Sequence, residues 1–478
     1  MTDMLFVQNY YEQNIGIMYI SALLKKHGFT TDVAIGSKKD IIRKTIKNPP
    51  RVIGFYCTTG FHHKNIAIAV EIKKLLGNRI RTILGGPHPT FIPEAIENEG
   101  IDIICRGEGE YAVLELIESL NAGRDYTGIK NLIVKKDGKI YKNELRPLCD
   151  MDALPHPDRE LYRDIESIYR NKRQEVMIGR GCCFDCAFCS NHAFKELYKG
   201  KGVYTKCRTI SNVIDELALI KNKFNPSCFF FHDDVFLAKK SYFSEFLKIY
   251  NEKIRLPYAC LVRADQMTED YAKLLKETGC YLVSFGIESG NSRLRNMLLN
   301  KNVSDDSIVK CASLFHKHRI SFMTFNMVGF PGETLRETLD TVDINVRIRP
   351  NWAWFSIYQP LPSTKLAQFA LDKGYISSID VLARDATFHK SSIILKNHPE
   401  GKKILRLKNS ANLMIKFPFL KGFINKIVIN MPFDGLYNLI DNLLYFILYY
   451  SKLTYRQSGI EAIRSLYWIS RNMKNQEC

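Results

Sequence analysis

Over the first 145 residues, short apolar runs alternate with stretches of helical period. Met4–Val7, Thr31–Ile35, Val52–Cys57, Arg81–Leu84 and Asp102–Cys105 read as strands, with helices over Gly16–His27, Ile66–Leu76 and Tyr111–Leu120 between them. That alternation predicts a parallel, doubly wound sheet whose ligand lies at the carboxyl ends of the strands. The unusual residues fall at those ends: Thr58-Thr59-Gly60, then Gly85-Gly86-Pro87-His88-Pro89-Thr90, then Arg106-Gly107-Glu108-Gly109-Glu110. Three glycine-bearing loops at strand ends let backbone approach a large flat ligand closely. Asn131–Tyr141 reads as a hairpin on an Asp137-Gly138 turn, and the Pro-bearing stretch after it as a linker.

A second strand–helix series follows. Six apolar runs, Glu175–Ile178, Cys228–Phe231, Pro257–Val262, Tyr281–Phe285, Ser321–Val328 and Trp354–Tyr358, are separated by amphipathic stretches such as Ile210–Phe224, Tyr242–Ile254 and Glu333–Val346. Six βα units predict an open, partial TIM-type barrel with its chemistry at the C-terminal strand ends. Beyond residue 376 the repeat stops. Ile404–Met414 reads as a basic helix, and Leu436–Lys452 as an amphipathic helix that either caps the barrel or lies on a membrane interface. The expected architecture is therefore α/β: residues 1–145 a Rossmann-like domain, 146–169 a linker, 170–375 a (β/α)6 barrel, and 376–478 a mainly helical extension.

Composition changes this picture little. The net charge of +18 is compatible with nucleic acid, a membrane surface, an anionic substrate or simply a lysine-rich proteome. Its excess is heavy at the end, where residues 401–478 carry twelve Lys/Arg against four Asp/Glu. Nine of the thirteen cysteines are scattered singly, which suits reduced thiols, and no basic-then-apolar leader opens the chain, so a cytoplasmic location is expected.

The other four cysteines sit together in Gly179-Arg-Gly-Cys-Cys-Phe-Asp-Cys-Ala-Phe-Cys-Ser-Asn191, straight after the first barrel strand. Cys182, Cys186 and Cys189 have the spacing C-x3-C-x2-C, which holds three corners of a cubane cluster and leaves one iron open. A zinc knuckle would need a second CxxC or HxxxH half, which is missing. The motif strongly resembles the radical S-adenosylmethionine (SAM) superfamily, and the strand-end loops of the first third resemble the cobalamin-binding domain that precedes many of its barrels. The D-x-H-x-x-G motif of the wider cobalamin class is absent, and His62-His63 lacks that context. His88, between two prolines, reads as a packing or hydrogen-bonding group.

The resemblance implies a [4Fe–4S] cluster on Cys182, Cys186 and Cys189. It implies SAM contacts from Phe188, Asp233 and Asp234 (in His232-Asp-Asp234), Arg263, Glu288, Gly329 and Pro331. It implies cobalamin contacts from Thr58, Thr59, Gly85, Gly86, Pro87, His88, Gly107 and Glu108, with cobalamin held base-off. The expected activity is cleavage of SAM to a 5′-deoxyadenosyl radical and, with cobalamin, methylation of an unactivated carbon in a small-molecule or lipid-like substrate. A flavodoxin or ferredoxin is the expected electron donor, and no nucleic acid is expected. The alternatives are oxidative cyclisation or rearrangement by the same radical chemistry, tRNA methylthiolation, or a non-catalytic iron–sulfur protein.

Overall fold

The computed structural model describes residues 2–8, 10–236, 239–378 and 392–431, with scattered positions up to 444. Its first sheet contains β1 (Met4–Gln8), β2 (Thr31–Ile35), β3 (Val52–Tyr56), β4 (Arg81–Gly85), β5 (Ile103–Cys105), β6 (Leu132–Lys136) and β7 (Lys139–Lys142). The order is β2-β1-β3-β4-β5-β6-β7. β1 to β5 are parallel, and the β6–β7 hairpin adds an antiparallel edge. Asp137 and Gly138 both take positive φ in the two-residue turn, as the sequence predicts. The chain leaves β1 towards β2 on one side and β3 on the other, so a crevice opens at their carboxyl ends.

The second sheet contains β8 (Arg173–Val176), β11 (Cys228–Phe231), β12 (Tyr258–Val262), β13 (Cys280–Glu288), β14 (Ser321–Val328) and β15 (Trp352–Ile357). These six run parallel in chain order, with β8 and β15 at the two edges. Between β8 and β11 lies a ribbon that the sequence reading missed. β9 (Gly179–Arg180) pairs antiparallel with β10 (Lys206–Cys207), each only two residues long and without an apolar period to announce it. The helices Ile210–Phe224 and Lys240–Lys253 bury Val213, Leu217, Phe243 and Phe246 against Phe229 and Phe231 on the outer face of the sheet.

Several element boundaries move for identifiable reasons. The helix predicted from Ile66 starts at His62, because His62 and Asn65 are buried polar residues that hide the apolar period; Asn65 Nδ2 donates to Tyr56 O at 2.9 Å. Pro87–Phe91, read as loop, forms a short helix. The helix predicted from Glu333 starts at Leu335, behind a Thr334–Glu337 capping box, which leaves Glu333 outside it. β13 runs on to Glu288 through a register shift at Gly286.

The stretch 146–169 is not a loose linker. Leu154, Leu161, Tyr162 and Ile168 are part of the first sheet's core. Tyr162 Oη donates to Gln8 Oε1 at 2.8 Å and accepts from Asn14 N at 3.0 Å. Arg159 Nη1 donates to Gln13 Oε1 at 2.8 Å on one side and Gln174 Oε1 at 3.0 Å on the other. Its Nη2 reaches Glu216 Oε1 at 3.1 Å, and Glu216 also pairs with Arg208, which donates to Tyr19 Oη at 3.3 Å. Two guanidinium groups and one carboxylate, all buried, thus join the two sheets.

The basic helix lies at Gly401–Lys416, packed on Leu335–Ile348 and β15. Asn412 occupies the backbone of the edge strand, accepting from Ala353 N at 3.3 Å and donating to Ala353 O at 3.0 Å. The expectation for Leu436–Lys452 falls outside the described residues apart from isolated positions. No helix of the described residues is long and apolar enough to cross a membrane.

Removing one member of a buried ion network leaves the others charged and desolvated. Glu216→Ala should therefore lower stability by about 3–5 kcal/mol in urea unfolding. Breaking the exposed Glu166–Arg170 pair should cost less than about 0.5 kcal/mol in the same assay.

Candidate functional site

One cavity of about 510 Å3 lies between the two sheets. Gly85, Gly86, Gly107 and Glu108 line it from the strand ends of the first sheet; Gly181, Ser190, Asn191, His232 and Asp234 line it from the mouth of the second. A deep apolar arm runs down between the first sheet and the helices Ile15–Lys26 and Glu110–Asn121, past Met4, Ile17 and Val113. Gly54 on β3 makes room for this arm: a Cβ there would collide with Met4 Cε. Glu110 also lines the cavity, and its Oε2 is buried with no hydrogen-bond partner, an acceptor left for a donor inside. Glycine backbone at one end, an apolar slot below and a free buried acceptor fit a large macrocycle with an amide periphery and an extended tail.

The predicted cobalamin residues divide into two groups. Gly85, Gly86, Gly107 and Glu108 face the cavity, whereas Thr58, Thr59, Pro87 and His88 are not among the residues that line it. His88 is stacked on His62 at 3.8 Å between ring centroids, and His63 lies tilted against His62 at 3.9 Å. Thr59 Oγ1 lies 3.2 Å from His88 Nδ1. Burial, with some repulsion from neighbouring imidazoles, lowers His62 to about 3 and His88 to about 4, so both rings are neutral at pH 7.

Glu108 carries a structural load. Its Oε1 pairs with Arg180 Nη1 at 3.0 Å and Lys206 Nζ at 2.8 Å, and its Oε2 accepts from Cys149 N at 2.7 Å. Burial works to raise its carboxyl pKa, but Arg180 and Lys206 outweigh burial and hold it below the ordinary value. Arg180 also reaches Glu110 at 2.5 Å. Tyr198 Oη accepts from Glu108 N at 2.8 Å and stands where a Cβ on Gly107 would be. The ribbon and the helix Ser190–Leu197, on either flank of the cysteine loop, are thereby fastened to the β5 loop of the other sheet.

The cysteine loop leaves β9. Cys182, Cys186 and Cys189 are half-buried, and Cys183 is exposed. Ala187 N donates to Leu299 O at 2.8 Å, and Ala187 O accepts from Leu366 N at 2.9 Å, so the loop is pinned at its centre. Among the described residues no three His, Cys, Asp or Glu side chains converge on one metal ion. A cubane does not ask them to, since it takes one thiolate at each of three irons. Burial pushes Cys182 up to about 12 and also raises Cys189, so a cation at the loop is what would make them thiolates.

The remaining predicted residues surround this loop. Asp234 lines the cavity, and burial raises its carboxyl pKa. Asp233 points the other way, accepting from Ile178 N at 3.1 Å and Gly179 N at 2.7 Å, where it braces the chain entering the loop; burial raises it to about 7. Arg263 lies over the Phe184 ring at 3.8 Å, donates to Asp265 at 2.8 Å and comes within 3.7 Å of Cys186 Sγ. Glu288, at φ 65°, accepts from Lys301 Nζ at 2.7 Å. Lys301 was missed by the sequence reading, yet it ties the group together: its Nζ lies 6.0 Å from the Phe188 ring centroid and its carbonyl accepts from Arg263. Its only local signal is the pair of asparagines, Asn300 and Asn302, that take positive φ beside it. Gly329 and Pro331 lie in a turn held by Glu333, whose Oε2 accepts from Gly329 N at 2.6 Å and Phe330 N at 3.0 Å.

His232 is a second residue whose position was not foreseen. It lines the cavity half-exposed while its Nε2 bonds the buried Glu175, which Arg173 holds at 2.9 Å. The neighbouring strands β8 and β11 bring these three side chains together, across 57 residues of sequence between Glu175 and His232.

Comparison with known proteins agrees with this geometry. Residues 2–117 match the B12 binding domain and residues 176–344 the radical SAM superfamily. The chain is 30% identical over 372 residues to an uncharacterised methyltransferase of Pyrococcus horikoshii, covering 75% of this chain and 78% of that protein. It is 25% identical over 377 residues to the anaerobic magnesium-protoporphyrin IX monomethyl ester cyclase of Rubrivivax gelatinosus, covering 75% of this chain and 66% of the cyclase. Its fold is similar to that of the radical SAM methyltransferase TsrM from Kitasatospora setae, with a TM-score of 0.64 at 18% identity, over 78% of this chain and 76% of that one. The chain belongs to the radical SAM enzymes that carry an N-terminal B12-binding domain. It is an enzyme of that cobalamin-dependent class, with a [4Fe–4S] cluster, SAM and cobalamin as its cofactors.

Glu333 gives the site a pH signature. Burial raises its carboxyl to about 7, so the folded protein holds this proton between pH 4.5 and 7 while the unfolded chain has released it. Stability from this group is full at low pH and is lost as pH rises through 7. Glu333→Gln keeps an acceptor for the two amides but loses the titrating proton. It should reduce the fall in stability between pH 5 and 8 by on the order of 2 kcal/mol, read from urea midpoints at the two pH values.

Proposed function

We propose that this enzyme methylates a carbon of a small-molecule substrate held in the cavity between the two sheets. One observation carries the reading: strand-end loops suited to cobalamin and the mouth of the cysteine-bearing barrel open into the same cavity. When bound, the cluster and cobalamin supply one-electron cleavage of SAM and a transferable methyl group. Cys182, Cys186 and Cys189 hold the cluster. Phe188, Asp234, Arg263, Glu288, Gly329 and Pro331 form the SAM cradle, with Lys301 and Glu333 fixing its members and Asp233 bracing the strand end behind the loop. Gly85, Gly86 and Gly107 would give backbone access to cobalamin, Gly54 would leave room for it beside Met4, and Glu108 holds the two walls together.

The chain's own groups then position and shield. Arg180, Lys206 and Tyr198 close the seam between the walls, which keeps water from the reacting centre. His232, oriented by Glu175, presents a polar ring edge to the cavity where a substrate hydroxyl or amide would hydrogen-bond. The relationship to the magnesium-protoporphyrin cyclase supports a second reading, oxidative cyclisation by the same radical without net methyl transfer.

The test is anaerobic turnover of reconstituted protein with SAM and a strong reductant, with and without methylcobalamin. 5′-Deoxyadenosine, S-adenosylhomocysteine and the cobalamin spectrum are followed together. Methyl transfer predicts both nucleosides and bound cobalamin, with deoxyadenosine abolished in Cys186→Ala. Bound cobalamin with deoxyadenosine and no adenosylhomocysteine in the presence of converted substrate would decide for cyclisation. A separate variant, Gly54→Val, should push Met4 into the apolar arm and weaken cobalamin binding at least about tenfold, since even one displaced buried group is worth that much. Its iron content should stay unchanged, as measured by equilibrium dialysis of cobalamin alongside iron analysis.

A further inference from the structure

The C-terminal helices keep a row of large apolar side chains in solvent. Phe419 is 80% exposed and Phe423 56%, and Ile427, Met431, Leu439 and Leu443 are each more than two-fifths exposed. Phe419, Phe423 and Ile427 recur at four-residue steps along the nearly continuous helical run 418–430, so these three share one face. The stripe does not come from a poorly packed segment. Ile424 and Ile429, on the opposite side, are buried against Met414 and Ile415 of the helix Gly401–Lys416. Burial of one side fixes the other outward.

Charge identifies what the stripe fits. Between residues 401 and 433 there is no Asp or Glu, and Lys416 and Lys426 are exposed beside Phe419, Phe423 and Ile427; Lys421 of the same segment pairs with Asp343, and Asp434 and Asp441 follow in sequence. We propose that this face docks the enzyme on an anionic phospholipid bilayer, with Phe419, Phe423 and the aliphatic residues entering the acyl boundary and the lysines meeting headgroup phosphates. A surface of phenyl and aliphatic groups flanked by amines is what an anionic bilayer binds. A second copy of the chain is a poorer occupant, because pairing two such faces sets lysines against lysines. The segment that carries these side chains follows the helix Gly401–Lys416, whose Asn412 covers β15 at the edge of the barrel. The proposal does not depend on which reaction the cavity performs.

The test uses the full, cluster-loaded chain and flotation with unilamellar vesicles of phosphatidylcholine alone or with added phosphatidylglycerol. The protein should float with the anionic vesicles and lose binding as salt is raised. Phe419→Ser with Phe423→Ser should lower the partition constant at least about tenfold. Lys416→Glu with Lys426→Glu should lower it several-fold on anionic vesicles and leave any weak binding to neutral ones unchanged. Both variants should keep the parent's melting temperature and iron content, since all four side chains are exposed. Failure of the parent to float with either vesicle would overturn the proposal, as would variants that float like the parent. So would sedimentation showing that the serine pair abolishes a dimer while flotation is unaffected, which would make the stripe a self-interface.

Discussion

The structure depends on one half-buried cation. Arg180 lies between the first barrel strand and the cysteine loop, and it faces two carboxylates, Glu108 and Glu110, from the other sheet. Burial works against its charge, but Glu110 and Glu108 outweigh burial and raise its pKa above the ordinary value. The carboxylates in turn would repel each other in a low-dielectric seam without Arg180 and Lys206 between them. Neither sheet therefore has a satisfied surface alone at this point. The same contact brings the cysteine loop to the wall of the cavity, so the fold's electrostatic balance and the placing of the site are one arrangement.

A second layer of buried acids shapes the loops themselves. Asp233 accepts from two backbone amides as the chain enters the cysteine loop, and Glu333 does the same in the Gly329–Pro331 turn. Loops that leave the end of a parallel strand have unpaired amides, and water cannot satisfy them once the cavity is closed. An acidic side chain folded back on its own segment supplies the missing acceptors. Both groups are shifted towards neutrality by burial. Asp234, one residue on, takes the cavity-facing position instead.

The C-terminal helices extend this logic to the barrel's edge. Asn412 occupies both backbone groups of Ala353 on β15, a strand that would otherwise present an unpaired edge. The helix is positioned by that pairing and by Met414 and Ile415 in its core, and its position in turn decides which side of Pro418–Leu420 and Lys421–Lys426 meets solvent.

The sequence by itself determined the strand–helix alternation, the two parallel sheets and the three-cysteine loop, because period, glycine placement and ligand spacing are local properties written over a few residues. It also marked the strand ends where the chemistry gathers. It did not reveal the β9–β10 ribbon, two residues wide, or that 146–169 is packed rather than loose, because neither has a periodic signal. Which acid braces and which faces the cavity was equally illegible: Asp233 and Asp234 are adjacent and chemically identical, and only the amides of Ile178 and Gly179 that Asp233 accepts from separate them. Lys301, Tyr198 and the His232–Glu175 pair are brought to the site from distant parts of the chain. Tertiary structure alone could place them, since their partners lie between 13 and 90 residues away and no local pattern encodes such a meeting.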